Sequence, residues 1–370
     1  MSTLKVNQIK NNGSAVDLPV IFTVAGLVPG QGYSESSTEP SNPSNGDFWW
    51  DTANELLYQH VNGSFIQLAA SLPPAWTGPK SVMAGGHNGS GYTADVQYVN
   101  IATPGNATDW GADKVGTAYG KEGASTGGGG IAIFTQTNGY FMMNIATTGN
   151  AGYSTGNGTL YDTTDTKSDA AAAASDGTYQ LLWHGSGFNN PHVIEKLAFA
   201  TLGNATLHGN FYNDGSQTYV TNHTAMSDGV YTVSAGGGAH AYTETRMNRT
   251  SFATEANATD FGDITVGRSF LTSVGDETYG VMAGGYTNSP QNVMDYITLA
   301  TPGNATDFGD LWTGVQQVFG SSDLTTGVIA GGYTGSNTNT ISKITIATPA
   351  NSTDFGDLIG TLKSAYCTSG

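Results

Sequence analysis

The chain has 370 residues, a formal charge of −17 and only 12 Lys and Arg, so a phosphate-binding nucleic-acid surface is excluded. Its single cysteine, Cys367, excludes an intrachain disulfide framework, and no apolar run approaches the length of a membrane span. The 18 Tyr, 14 Phe and 6 Trp stand in alternating strand-like runs among 52 Gly, the profile of a turn-dense all-β protein rather than a disordered one.

Residues 1–79 do not share the pattern of the rest. In MSTLKVNQIKNNG, Leu4, Val6 and Ile9 line one side of an extended arm, and Asn12-Gly13 is a turn signal. The polar stretch GYSESSTEPSNPSNG reads as a linker or long loop. In GDFWWDTANELLYQHVNGSFIQL three short strands are expected, at Phe48–Trp50, Leu56–Tyr58 and Phe65–Ile66, with turns at Thr52–Asn54 and Asn62-Gly63. The result is a small β-meander with a tryptophan-lined face, too slight to be stable without a partner surface. The N-terminus lacks the basic-then-apolar layout of a secretory signal.

From residue 80 to 370 a stretch close to IATPGNATDFGDL returns six times, following runs such as VMAGGY and VIAGGY. Anchor residues fall at Ile101, Ile145, Phe199, Phe252, Leu299 and Ile346, at spacings of 44, 54, 53, 47 and 47. A period near fifty, made of short β segments and Gly/Asn/Asp turns, predicts the blades of a six-bladed β-propeller. Asp176-Gly177 and Asp228-Gly229 are tight-hairpin signals. Thr-Pro-Gly-Asn at 103–106 and 301–304 suits a type II turn. The repeated Asp260/Asp263, Asp307/Asp310 and Asp354/Asp357 read as parts of a capped turn rather than as calcium ligands. Double glycines are placed at Gly85-Gly86, Gly237-Gly238, Gly284-Gly285 and Gly331-Gly332. The order of strand, turn, strand ending in Gly-Gly, variable loop, strand and aromatic residue resembles a Kelch-type blade. Trp110, Phe261, Phe308 and Phe355 stand where Kelch repeats carry a tryptophan packed between blades. The second and third units depart most, with GGGIAIF and LLWHGSG in place of AGGY.

The first unit begins at its second strand, and the chain ends in LKSAYCTSG, which has the character of the missing first strand. Residues near 363–369 are therefore expected to close the ring beside residues near 81–86, with Cys367 a small apolar residue in that strand. Strand alternation puts the hairpins and the uniform NATD turns on one face. It puts the loops after the double glycines on the other, with the blade-to-blade connections. Those loops vary, and they carry His87, Tyr92, Phe188, His192, His240, Tyr242 and Tyr286 among Asn, Ser and Gly. Aromatic rings beside short neutral polar groups suit sugar binding, so these seven are the candidate ligand-binding residues. No nucleophile-elbow, zinc-ligand or phosphate-loop motif occurs, and the chain is read as a non-enzyme without cofactor or metal. Of the arginines a sialidase-like site would need, only Arg246, Arg249 and Arg268 exist.

The opening MSTLKVNQIKNN and the run Gly46-Asp47-Phe48-Trp49-Trp50-Asp51-Thr52, followed by the Asn62-Gly63 hairpin and Phe65-Ile66, resemble N-terminal segments of tailed-bacteriophage fibre and virion structural proteins, notably of phages infecting cyanobacteria and other marine bacteria. The resemblance covers about seventy residues. It implies a virion location on the tail or outer surface, attachment to other virion proteins through residues 1–79, and a homo-oligomer, commonly a trimer. With the propeller's variable face pointing away from that attachment, the expected function is adhesion to a host-surface glycan or protein. The alternative is a capsid-decorating or tail-connecting structural protein without a host ligand. A surface-polysaccharide hydrolase ranks third, because no paired Asp/Glu stands at matched positions.

Overall fold

The computed structural model describes residues 9–11, 14–16, 33–44, 47–51, 56–61, 64–67, 80–114, 124–127, 130–136, 139–145, 154–155, 172–184, 193–199, 204–211, 221–239 and 242–369. The chain forms two compact units, Met1–Leu72 and Pro73–Gly370, and no helix occurs among the described residues.

In the first unit Ile9–Asn11 and Ser14–Val16 pair antiparallel, with Asn11 opposite Ser14. Phe48–Asp51, Leu56–Val61 and Ser64–Gln67 form the expected antiparallel meander. The sheet nevertheless has a fourth strand. Tyr33–Ser36, inside the stretch read as a linker, pairs parallel to Phe48–Asp51. Its reason lies at Trp49, which is buried, donates its indole N–H to the Ser36 carbonyl at 3.1 Å, and meets Phe65 edge-on at 5.3 Å. A buried indole needs an acceptor, and the added strand supplies it.

The second unit is a β-propeller. Five of its four-stranded antiparallel sheets follow one plan in full. From innermost to outermost strand they are Ala172–Ser175, Tyr179–Trp183, Val193–Ala198 and Thr206–Asn210; Thr224–Ser227, Tyr231–Ala235, Arg246–Ser251 and Thr259–Asp263; Thr272–Gly275, Tyr279–Ala283, Gln291–Thr298 and Thr306–Val315; Phe319–Ser322, Thr326–Ala330, Thr340–Thr345 and Thr353–Asp357; and Tyr366–Ser369, Lys80–Ala84, Asp95–Asn100 and Thr108–Lys114. The repeat leads one to expect six equal units, and the unit at 124–155 is not equal. It has strands Ala124–Gly127, Ile131–Gln136 and Gly139–Asn144, but its outermost strand is only Ser154–Thr155. Here the NATDFGD segment, whose buried aromatic and docking glycine build the other outer strands, is degraded.

The last-described sheet is the closure. Tyr366–Ser369 lies antiparallel to Lys80–Ala84, with Tyr366 opposite Ala84 and Ser369 opposite Ser81, as the repeat phase predicts. Cys367 sits in this seam beside Ser81 at 3.4 Å and Ser321 at 3.5 Å, and burial pushes its thiol pKa up. All six anchors, Ile101 to Ile346, are buried. The outer-strand aromatics do what the Kelch-like pattern implies. Phe308, for example, packs with Val281 and Met294 of its own blade and with Ile329 and Ile344 of the next. Phe355, Phe261 and Trp110 straddle their blade boundaries in the same way. In the blade at 172–210 the equivalent position is His208, buried and bonded to Thr250 of the next blade at 3.3 Å.

Three local readings change. The double glycine of the 224–263 blade is Gly236-Gly237, one residue earlier than expected. These two share the backbone angles of Gly284-Gly285, and Gly236 N–H donates to Arg246 as Gly284 N–H does to Val293. The Thr-Pro-Gly-Asn segments are not type II turns, since neither Gly105 nor Gly303 has the positive φ that turn demands. The repeated Asn does not cap its own turn; it reaches the preceding blade. Asn304, Asn351 and Asn106 accept the backbone N–H of Asp263, Asp310 and Asp357 at 3.0, 3.0 and 3.1 Å. Glycine at 262 allows that approach, because a Cβ there would lie 2.4 Å from the Gly303 carbonyl oxygen.

The hairpins between innermost and second strands carry a test within the molecule. In four of them, at Asp176, Asp228, Asp276 and Asp323, an Asp Oδ1 accepts two backbone N–H groups, as Asp228 does from Val230 and Tyr231 and Asp323 from Thr325 and Thr326. The next residue is left-handed, with φ of 82° at Gly177 and 79° at Gly229, but also 68° at Glu277 and 69° at Leu324. A side chain in that region costs about 1–2 kcal/mol. Leu324→Gly should therefore stabilise the propeller by about 1 kcal/mol. Gly229→Ala, with nothing within 4 Å of the added Cβ, should destabilise it by about 1 kcal/mol. Urea unfolding of the two variants checks both signs.

Candidate ligand-binding face

Within the propeller the hairpins and NATD-type turns lie at one end of the sheets. At the other end the loops after the double glycines are tied to the connections between blades. Tyr286 exchanges backbone hydrogen bonds with Ser269, Tyr333 with Gln316, and His87 with Lys363. Each connection is thereby wedged between the blade it leaves and the blade it enters, which makes this face a set of braced loops rather than free ones.

Among the sequence-predicted residues, His87 and Tyr92 come together. Their rings meet edge-on at 5.1 Å, and His87 Nδ1 accepts the Gly89 N–H at 3.0 Å, which leaves Nε2 as the protonated nitrogen of the neutral ring. Tyr92 is exposed, whereas His87 is half-buried. Tyr286 holds the position equivalent to His87 in the 272–315 blade and is half-buried. It does not join the His87–Tyr92 pair, being braced instead against Ser269. Phe188, His192 and His240 lie outside the described residues, as does the side chain of Tyr242.

Sequence reasoning missed several residues of this face. Tyr333 occupies the same post-glycine position in the next blade, and Lys363 Nζ stands 4.7 Å over its ring. Asn337 donates to the His87 carbonyl at 2.8 Å, so the two neighbouring loops are stitched together. The signal for Tyr333 was the repeat itself, which aligns it with His87 and Tyr286. Trp312 and Ile359 are the most exposed large apolar side chains, at 63% and 62%, and they hold equivalent places in two connections. Val266 in a third connection is also exposed. Scattered exposed apolar residues are ordinary, and Val230 at 57% stands on the hairpin face, but those of the three connections recur on one face.

The arginines are placed as well. Arg268 is fully buried in an ion pair with Asp295 at 2.6 Å, and Arg249 stacks over Tyr231 at 3.5 Å. Burial lowers the Arg268 pKa, and the adjacent Asp295 carboxylate offsets only part of that. Neither arginine is presented to a ligand on this face. No cluster of three metal-ligating side chains exists among the described residues. No protein-family model matches the chain, and no curated protein matches it.

Proposed function

We propose that this chain is a bacteriophage virion protein, a tail fibre or tail-associated adhesin, whose propeller binds a host-surface glycan or protein without catalysing a reaction. The propeller is read as six-bladed. The short-edged unit at 124–155 supports that count, since its innermost strand packs between Ala172–Ser175 and Tyr366–Ser369. Its Ile145 N–H also bonds Gly130 just as Leu299 N–H bonds Thr278 and Ile346 N–H bonds Thr325. Residues 1–79 are the attachment segment to other virion proteins, within a homo-oligomer such as a trimer.

One observation carries the adhesin reading. The turn face is built of near-identical, mutually bonded segments and exposes Val230, whereas the loop face displays Tyr92, Val266, Trp312 and Ile359. Exposed aromatic and apolar groups on a braced surface suit recognition. Several copies on one particle would turn weak individual contacts into firm attachment. The test is whole-cell binding by the recombinant full chain to a panel of marine bacterial hosts, read by fluorescence. Saturable binding to one host, lost on Trp312→Ala combined with Tyr92→Ala, is the expected result. Binding to none of them would favour the structural role in capsid decoration or tail joining.

A further inference from the structure

One third-strand position is polar in five blades, and in two of them the connection that enters the blade satisfies it. In the 272–315 blade it is Asp295, held by Arg268 and by the Thr265 hydroxyl. In the closing blade it is Gln97, whose Oε1 accepts the Ile359 N–H at 3.0 Å. In the 319–357 blade the position is Ser342, and the entering connection makes no bond to it, just as none reaches the buried Oδ1 of the equivalent Asn248. The connection there offers Trp312 where the others have Thr265 and Ile359, and Val315 where one has Arg268. Ser342 is 3% exposed and its hydroxyl has no hydrogen bond among the described residues.

The shorter side chain leaves room. A shallow cleft, open to solvent and enclosing only about 10 Å³, space for one hydroxyl group or water, is lined by Trp312, Thr313, Gly331, Thr338, Thr340 and Ser342. Its polar groups are hydroxyls, with Thr338 donating to Thr340 at 3.2 Å, and no ionisable side chain lines it. Beside it stands the indole of Trp312, 63% exposed.

We propose that this cleft, between Trp312 and the Thr338–Ser342 edge, is a binding site for a single uncharged sugar residue of a glycan, which deepens the adhesin reading and rests on it for biological meaning. The apolar C–H face of a pyranose would lie on the indole, and its hydroxyls would supply the partner that Ser342 lacks and bridge to Thr338 and Thr340. A site of hydroxyls and carbons without a cation has nothing to offset the desolvation of a carboxylate, so acidic sugars are excluded.

The test uses the full chain and methyl glycosides of glucose, galactose, mannose, fucose and N-acetylglucosamine, with sialic acid as the charged comparator. Binding is read by saturation-transfer NMR and tryptophan fluorescence. At least one neutral glycoside should bind at millimolar strength, and sialic acid should not. Trp312→Ala should weaken binding by at least tenfold, Trp312→Phe by less, and Ser342→Ala by severalfold, each with an unchanged melting temperature. No binding by any neutral glycoside at 50 mM (roughly ten times the expected millimolar dissociation constant), or binding untouched in a folded Trp312→Ala chain, overturns the site. Host binding that persists in Trp312→Ala would overturn this site while leaving the adhesin reading intact. Sugar binding without host binding would do the reverse.

Discussion

A chain ending at Leu362 should lose most of the propeller's cooperative stability. The deleted segment contributes an entire innermost strand, and its neighbours on both sides depend on it. Tyr366 is 1% exposed, packs edge-on against Phe134 at 5.6 Å, and donates its hydroxyl to the Thr135 carbonyl at 2.7 Å. On the other side Ser369 donates to the Ser322 carbonyl at 2.6 Å, and the Cys367 thiol to the Ser321 hydroxyl at 3.5 Å. Tyr366→Ala alone should cost about 3–5 kcal/mol through the cavity it leaves. Removing the strand also exposes the Lys80–Ala84 edge and the flanks of two sheets, so the total exceeds 5 kcal/mol. That is on the scale of a whole domain's stability. Urea unfolding followed by near-ultraviolet circular dichroism checks it, with Tyr366→Phe as the mild reference at about 1 kcal/mol. A truncated chain that unfolds at the same urea concentration as the parent would show that the ring does not depend on its closing strand.

That closure was legible because a repeat carries its own phase: a unit beginning at its second strand must find its first elsewhere. The buried anchors and the interblade aromatics were legible for the same reason, since equivalent positions in successive blades meet equivalent neighbours. What the sequence hid is backbone strain and long-range pairing. Asn222, Phe270, Gln317 and Ser364 all adopt left-handed φ, from 50° to 59°, with no glycine to announce it. They form a relay in which Phe270 N–H donates to Asn222, Gln317 N–H to Phe270, and Ser364 N–H to Gln317. The geometry is imposed by neighbouring blades, so no local residue preference signals it. The parallel strand Tyr33–Ser36 was hidden likewise, because a polar Ser-rich segment pairs there to satisfy one buried indole some dozen residues away.

The candidate face was read in outline and missed in detail. Loop composition pointed to His87 and Tyr92, which do meet. Trp312 lies in a connection, not a post-glycine loop, and emerges only when the three connections are laid over one another in register. The same overlay separates Ser342 from Asp295 and Gln97, which the entering connections satisfy.

The overlay also makes the Arg268–Asp295 pair a strong energetic test. The guanidinium donates to the carbonyls of Gly284 at 2.7 Å, Met282 at 3.2 Å and Val266 at 3.2 Å as well as to the carboxylate, so every bond but the one to Val266 ties the connection to the blade it enters. Both side chains are fully buried. Arg268→Leu should cost about 3–5 kcal/mol, because it strands a carboxylate in the interior, and Asp295→Gln should cost a similar amount by stranding the guanidinium. The pair of changes together should cost no more than about 1 kcal/mol. Leu and Gln are what the closing blade uses at these two positions, as Leu362 and Gln97, and there Gln97 draws its partner from the backbone. A double-mutant cycle in urea should therefore give a coupling of several kcal/mol. Additive losses in the cycle would mean that the blades do not share one packing solution, and that the ion pair is a local requirement of its own blade.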